Sequence, residues 1–132
     1  MADEEGRGDV VRTGEIALER DDGYAVISVT GEHDLSTAPD LRSRLDELIG
    51  GGVATVVDLS PATFVDSSVL GAILDGRRQA DEGGIGFAVA QSPNGADAVT
   101  RVLDITGLRA ELPVHVDRAK AVAAATGGSD AE

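Results

Sequence analysis

The chain has 132 residues, 24 acidic and 11 basic, for a formal net charge of −13. With one Tyr, two Phe and no Trp, it has neither the basic face nor the stacking aromatics of a nucleic-acid module, and a phosphate backbone or an anionic membrane surface would repel it. The absence of cysteine excludes disulfides and thiolate chemistry, and a 42% hydrophobic content suffices for one domain with a core of Val, Leu, Ile and Ala.

Residues 1–13 are charged, contain glycine and have little to bury, which predicts a disordered acidic N-terminal arm. The stretch 126–132, TGGSDAE, predicts a flexible C-terminal tail. One domain over 14–125 lies between them, with no internal repeat and no interior linker. The opening MADEEGRGD is the opposite of a secretory signal. No apolar run approaches the roughly 20 residues of a membrane span. A cytoplasmic location is expected.

Glu15 to Leu18 predicts a short strand. Asp21 to Gly23 make a turn, and Tyr24 to Thr30 a second strand, so the pair forms a hairpin. In the second strand Ala25, Ile27 and Val29 alternate with Val26, Ser28 and Thr30, which predicts a sheet covered mainly on one side. STAPDLRSRLDELIGGG reads as a helix capped by Ser36 or Thr37, with Pro39 in its first turn and Leu41, Leu45, Leu48 and Ile49 on one face. Ala54 to Leu59 is a third strand. A helix follows from Ser67 to about Asp81, with Leu70, Ile73 and Leu74 inward, and is stopped by Gly83 and Gly84. Ile85 to Ala90 is a fourth strand. Asn94 to Thr106 is a helix striped by Val99, Val102 and Leu103. Gly107 is its left-handed cap, with Leu108 packing back on Leu103. Val114 to Val116 is a last short strand, and Asp117 caps a final helix, Arg118 to Ala125.

The order β-β-α-β-α-β-α-β-α predicts an α/β domain with a mixed sheet of four to five strands and right-handed crossovers, its helices packed mainly on one face. Loops leaving the C-terminal strand ends gather at one edge, where ligands and partners bind. Here those loops are Gly31 to Ser36, Ser60 to Ser67 and Gln91 to Asn94. GEHDLS is thereby brought near FVDSS, although some thirty residues separate them.

Asp66 and Ser67 fall at a helix N-terminus. One reading is capping, in which a side-chain oxygen satisfies a free backbone N–H. The other is phosphorylation, because a helix N-terminus tolerates a phosphate. The added charge of about −1.5 to −2 would alter what docks on an edge already carrying Glu32, Asp34 and Asp66. Ser67, His33 and Asp34 also supply hydrolase residue types. His33 and Asp34 are chain neighbours, however, and no G-x-S-x-G elbow is present, so no catalytic residue is assigned. His33 and His115 lack metal-ligand spacing, so no metal is expected. GGIGFA, Gly83 to Ala88, reads as a helix stop before a strand, with no cofactor implied. Arg77 and Arg78 read as a solvated helix face.

Four segments then coincide in order and spacing with one family: GEHDLSTAP (Gly31 to Pro39), VVDLS (Val56 to Ser60), FVDSSVLG (Phe64 to Gly71) and VLDITGL (Val102 to Leu108). Over about residues 14 to 124 the chain resembles STAS domains, specifically bacterial anti-sigma factor antagonists. The resemblance implies a non-enzymatic protein that binds an anti-sigma factor with serine kinase activity and so frees a sigma factor. It implies phosphorylation on the serine after the motif aspartate, Ser67, which releases the partner, and a metal-dependent serine phosphatase that resets the switch. The ATP and Mg²⁺ belong to the kinase. The expected partner-binding residues are Glu32, Asp34, Asp66, Ser67, Ser68 and Val69. The family commonly has Gly where this chain has Val69, and a β-branched side chain there is expected to add bulk where a kinase approaches. A STAS module serving as a fixed scaffold or transport-system subunit, with Ser67 only a helix cap, stays open as the alternative.

Overall fold

The protein, seen in a computed structural model, is described over residues 14–92, 97–107, 110–112 and 114–127. The expected N-terminal arm, Leu108 and most of the tail lie outside them. Ten elements follow in order: β1 Glu15–Asp21, β2 Tyr24–His33, α1 Ala38–Gly50, β3 Ala54–Asp58, β4 Ala62–Val65, α2 Ser67–Gly83, β5 Phe87–Ala90, α3 Asp97–Thr106, β6 Val114–His115 and α4 Arg118–Thr126. The last helix includes Thr126, one residue beyond the end expected from the sequence.

The sheet has six strands among the described residues, in the order β1-β2-β3-β5-β6, with β4 pairing β2. Only β1 is antiparallel to its neighbour. β4 is the strand not anticipated from the sequence. It exists because β2 is longer than expected and changes partner along its length. Tyr24 to Ser28 pair with β3, and Gly31 to His33 pair with β4. The register shifts between Gly31 and Glu32. Gly31 sits at φ 84° and donates its N–H to the Pro61 carbonyl at 3.2 Å. A side chain rarely adopts that φ, so glycine permits the bulge.

The main core lies on one face. Ala25, Ile27 and Val29 of β2 meet Leu41, Leu45, Leu48 and Ile49 of α1, Leu70 and Ile73 of α2, and Val99 and Leu103 of α3. The helical stripes read from the sequence are thus the buried ones, with Leu74 and Val102 packed at the margin. The other face is not bare. Ala121 and Ala125 of α4 cover Val26, Val56, Ala88 and Ala90 in a second, smaller core. Small residues on both surfaces let this helix lie close. A Cβ built at Gly86 would sit 1.6 Å from the Ala125 carbonyl oxygen, so Gly86 marks a helix–sheet contact, while Gly84, at φ 71°, supplies the helix stop. At its N-terminus α4 is capped by Asp117, which accepts from the Lys120 N–H at 2.8 Å. Arg118 then reaches the sheet. Its Nε donates to buried Asp58 at 3.1 Å, Nη2 to Ser28 Oγ at 2.7 Å and Nη1 to Glu19 at 3.0 Å. Pairing satisfies a carboxylate that burial alone would penalise.

Candidate functional site

The pairing of β2 with β4 builds the site. His33 stands opposite Val65 and Glu32 opposite Phe64, and Asp66 donates its N–H to the His33 carbonyl at 3.3 Å. Two chain turns, Asp34–Thr37 and Asp66–Ser68, therefore lie side by side, each leading into a helix. GEHDLS and FVDSS meet, as the topology read from sequence required.

The turns share one construction. Asp34 Oδ1 accepts from the Ser36 N–H at 2.9 Å and from the Ser36 hydroxyl at 2.6 Å. Asp66 Oδ1 accepts from the Ser68 N–H at 3.0 Å and from the Ser68 hydroxyl at 2.6 Å, and also from the Val69 N–H at 3.2 Å. These are Asx turns, in which a short acid replaces a backbone acceptor. The residue skipped in each, Leu35 or Ser67, points to solvent. The Ser36 hydroxyl, followed by its N–H, holds the Asp34 carboxyl below the usual Asp range.

The helix cap is Asp66, not Ser67. Asp66 has the extended backbone of an N-cap, at φ −105° and ψ −177°, while Ser67 is already the first helical residue. Ser68 is half-buried, its hydroxyl tied to Asp66. Ser67 is exposed, and among the described residues its hydroxyl makes no hydrogen bond.

Val69 also differs from expectation. It is 1% exposed and belongs to the main core beside Val65, Leu70 and Ile73. As the third helical residue it faces inward, so its side chain is not on the accessible surface. Glu32, Asp34 and Ser67 are exposed, and Asp66 and Ser68 half-buried. These five form the accessible part of the expected set.

At α1 the cap expectation is corrected too. Thr37 stands at the N-cap position but makes no capping bond. Its hydroxyl oxygen instead accepts from the Asp34 N–H at 3.1 Å and faces His33 Nδ1 at 3.1 Å. His33 is buried, and its Nε2 donates to the Thr30 carbonyl at 3.0 Å. Both ring nitrogens are engaged in holding the β2–α1 turn. The sequence signal for this role is the threonine four residues after the histidine. His115 is half-buried in β6, with no partner to Nε2 among the described residues. Arg77 is half-buried and pairs with Asp81 at 3.0 Å and the Glu111 carbonyl at 3.0 Å, while Arg78 is exposed.

Comparison with known proteins identifies the family and the fold. A family model described as Mlab, STAS domain, matches residues 16–114. Among solved structures, an anti-sigma factor antagonist from Mycobacterium paratuberculosis superposes with a TM-score of 0.75 at 27% identity, covering 86% of this chain and 95% of that one. A putative anti-sigma factor antagonist from Thermotoga maritima gives 0.72 at 23%, covering 83% and 93%. The Bacillus cell fate determinant SpoIIAA in its phosphorylated form gives 0.62 at 21%, covering 82% and 96%. The latter two share the fold. Among the described residues no helix is long and apolar enough to cross a membrane.

Proposed function

The chain belongs to the STAS domain family, and from that membership we propose that it is an anti-sigma factor antagonist controlled by phosphorylation of Ser67. It binds an anti-sigma factor that is also a serine kinase, so releasing the sigma factor in the cytoplasm. Phosphorylation by that kinase ends the interaction, and a metal-dependent phosphatase restores it. The chain supplies a docking surface and an acceptor hydroxyl. The kinase supplies ATP and Mg²⁺.

The observation that carries this reading is the free Ser67 hydroxyl beside a cap that does not need it. Asp66 already accepts from the N–H groups of Ser68 and Val69, so modifying Ser67 removes no bond from the fold. Nor does a phosphate there inherit those two amides. It stays at the surface, near the positive end of α2, and adds about −1.5 to −2 charges beside Asp34 and Asp66. The consequence falls on docking, through charge and bulk, more than on folding. The Mycobacterium paratuberculosis antagonist, 27% identical, supports the same role. The scaffold alternative drew on Ser67 as cap and on Val69 as surface bulk. With Asp66 as the cap and Val69 in the core, neither residue favours it.

The test is intact-mass measurement with peptide mapping after incubation with ATP, Mg²⁺ and each candidate serine kinase of the host. One kinase adding one phosphate, mapped to Ser67, is the expected result. A phosphate elsewhere, or none from any kinase, contradicts the reading.

A further inference from the structure

Beside Ser67 a groove runs between α1 and the N-terminal part of α2, lined by Leu35, Pro39, Arg42, Asp46, Ser68 and Gly71 among others. Leu35 is 72% exposed, one of five exposed large hydrophobic residues among those described. It holds the same place in the Asp34 turn that Ser67 holds in the Asp66 turn. An exposed apolar side chain and the exposed hydroxyl are thus presented together by two matched turns. Gly71 leaves the α2 wall open, since a Cβ built there meets nothing within 4 Å. Arg42 bonds Asp75 across the two helices, so its charge is directed to α2. Asp46, at the groove's margin, has no cationic partner among the described residues.

Building on the antagonist reading, we propose that this groove is the specificity pocket for the anti-sigma factor, taking one apolar side chain of that partner against Leu35 and Pro39, with an adjacent Lys or Arg paired to Asp46. The apolar walls beside an exposed acid that makes no ion pair among the described residues define this complement. A basic partner segment also suits a chain of net charge −13, because opposite fields raise the association rate and fix the register. Seating this residue in the groove brings the kinase cleft over Ser67. The phosphate then places a bulky, strongly hydrated group at the same contact, and its cost to the partner's apolar insertion outweighs its attraction for the neighbouring Lys or Arg.

The experiment titrates the kinase that labels Ser67 against the full chain carrying Ser67→Ala, so that phosphorylation cannot intervene. Leu35→Ala, Asp46→Lys and Gly71→Leu are then added singly. Each is expected to weaken binding about tenfold or more, since one well-placed contact is worth on the order of 1–2 kcal/mol at an interface. Gly71→Leu is the sharpest probe. It fills the groove while replacing a helix glycine, so thermal stability should hold or rise as affinity falls. Unchanged affinity in Leu35→Ala and Gly71→Leu, with Ser67 of the wild-type chain still phosphorylated by the same kinase, overturns the groove and leaves the antagonist reading standing. If no serine kinase binds or labels the parent, both fall. Self-association of the parent that Gly71→Leu abolishes would assign the groove to a second copy and overturn the proposal.

Discussion

Asp66 and Ser68 are joined by a 2.6 Å hydrogen bond from the serine hydroxyl to the carboxylate, and this bond leaves Ser67 as the free hydroxyl of the pair. Phosphorylation on Ser68 would first break that bond. Ser68→Ala is therefore expected to keep a single phosphate on Ser67, and Ser67→Ala to take none. Peptide mapping of both variants, after treatment with the same kinase, distinguishes the two sites. A phosphate on Ser68 in the Ser67→Ala chain would contradict the assignment.

Asp66 carries the cap for both Ser68 and Val69. Asp66→Ala should lower unfolding free energy by about 1 kcal/mol, within the range found for lost N-caps, and Asp66→Asn should recover most of it. Ser67→Ala should change stability little, because its hydroxyl makes no bond among the described residues. Chemical denaturation of the three variants measures this, and a cap-sized loss in Ser67→Ala would return the capping role to the serine.

Val69→Gly tests the role of the residue that departs from the family pattern. The substitution removes a fully buried branched side chain and adds a helix glycine. A loss of about 2–4 kcal/mol is expected. Partner affinity of the folded fraction should be little changed, because Val69 offers no surface. A stable Val69→Gly chain with altered affinity would place the side chain at the interface after all.

Gly86→Ala should destabilise the protein severely, by about 3 kcal/mol or more, because its Cβ would lie 1.6 Å from the Ala125 carbonyl oxygen and α4 would have to lift from the sheet. Thermal unfolding reports the loss. A near-neutral result would mean that α4 is not held against β5.

The Ser36 hydroxyl and N–H hold the Asp34 carboxyl below the ordinary Asp range. A depressed folded pKa means that the native state binds fewer protons than the unfolded chain. This contribution to stability is present above the unfolded value and is lost as pH falls through the folded value. Ser36→Ala should move the Asp34 titration upward, since its hydroxyl is the largest cause. Carboxyl NMR titration of wild type and Ser36→Ala measures the shift, and identical curves would refute the cause.

Much of this arrangement was legible in the residues. Leu41, Leu45, Leu48 and Ile49 announced their helix by spacing, and the meeting of GEHDLS with FVDSS followed from topology. β4 was not legible. It is four residues long, with Thr63 and Phe64 exposed and Pro61 before it, and its partner is the end of β2 beyond a glycine bulge. Such a pairing leaves no local pattern. The cap was ambiguous for a related reason. Asp66 and Ser67 both offer a capping oxygen, and only the phase at which the backbone turns from extended to helical chooses between them. The inward direction of Val69 follows from that phase as well, since moving the helix start by one residue rotates every side chain by about 100°.

The proposed release of the partner by phosphorylation of Ser67 is tested most directly by following the complex of this chain with the serine kinase that it is proposed to bind, before and after addition of ATP and Mg²⁺. The wild-type chain should dissociate as Ser67 is modified, while Ser67→Ala stays bound. Wild type and Ser67→Ala both remaining bound, or both dissociating alike, would contradict the account.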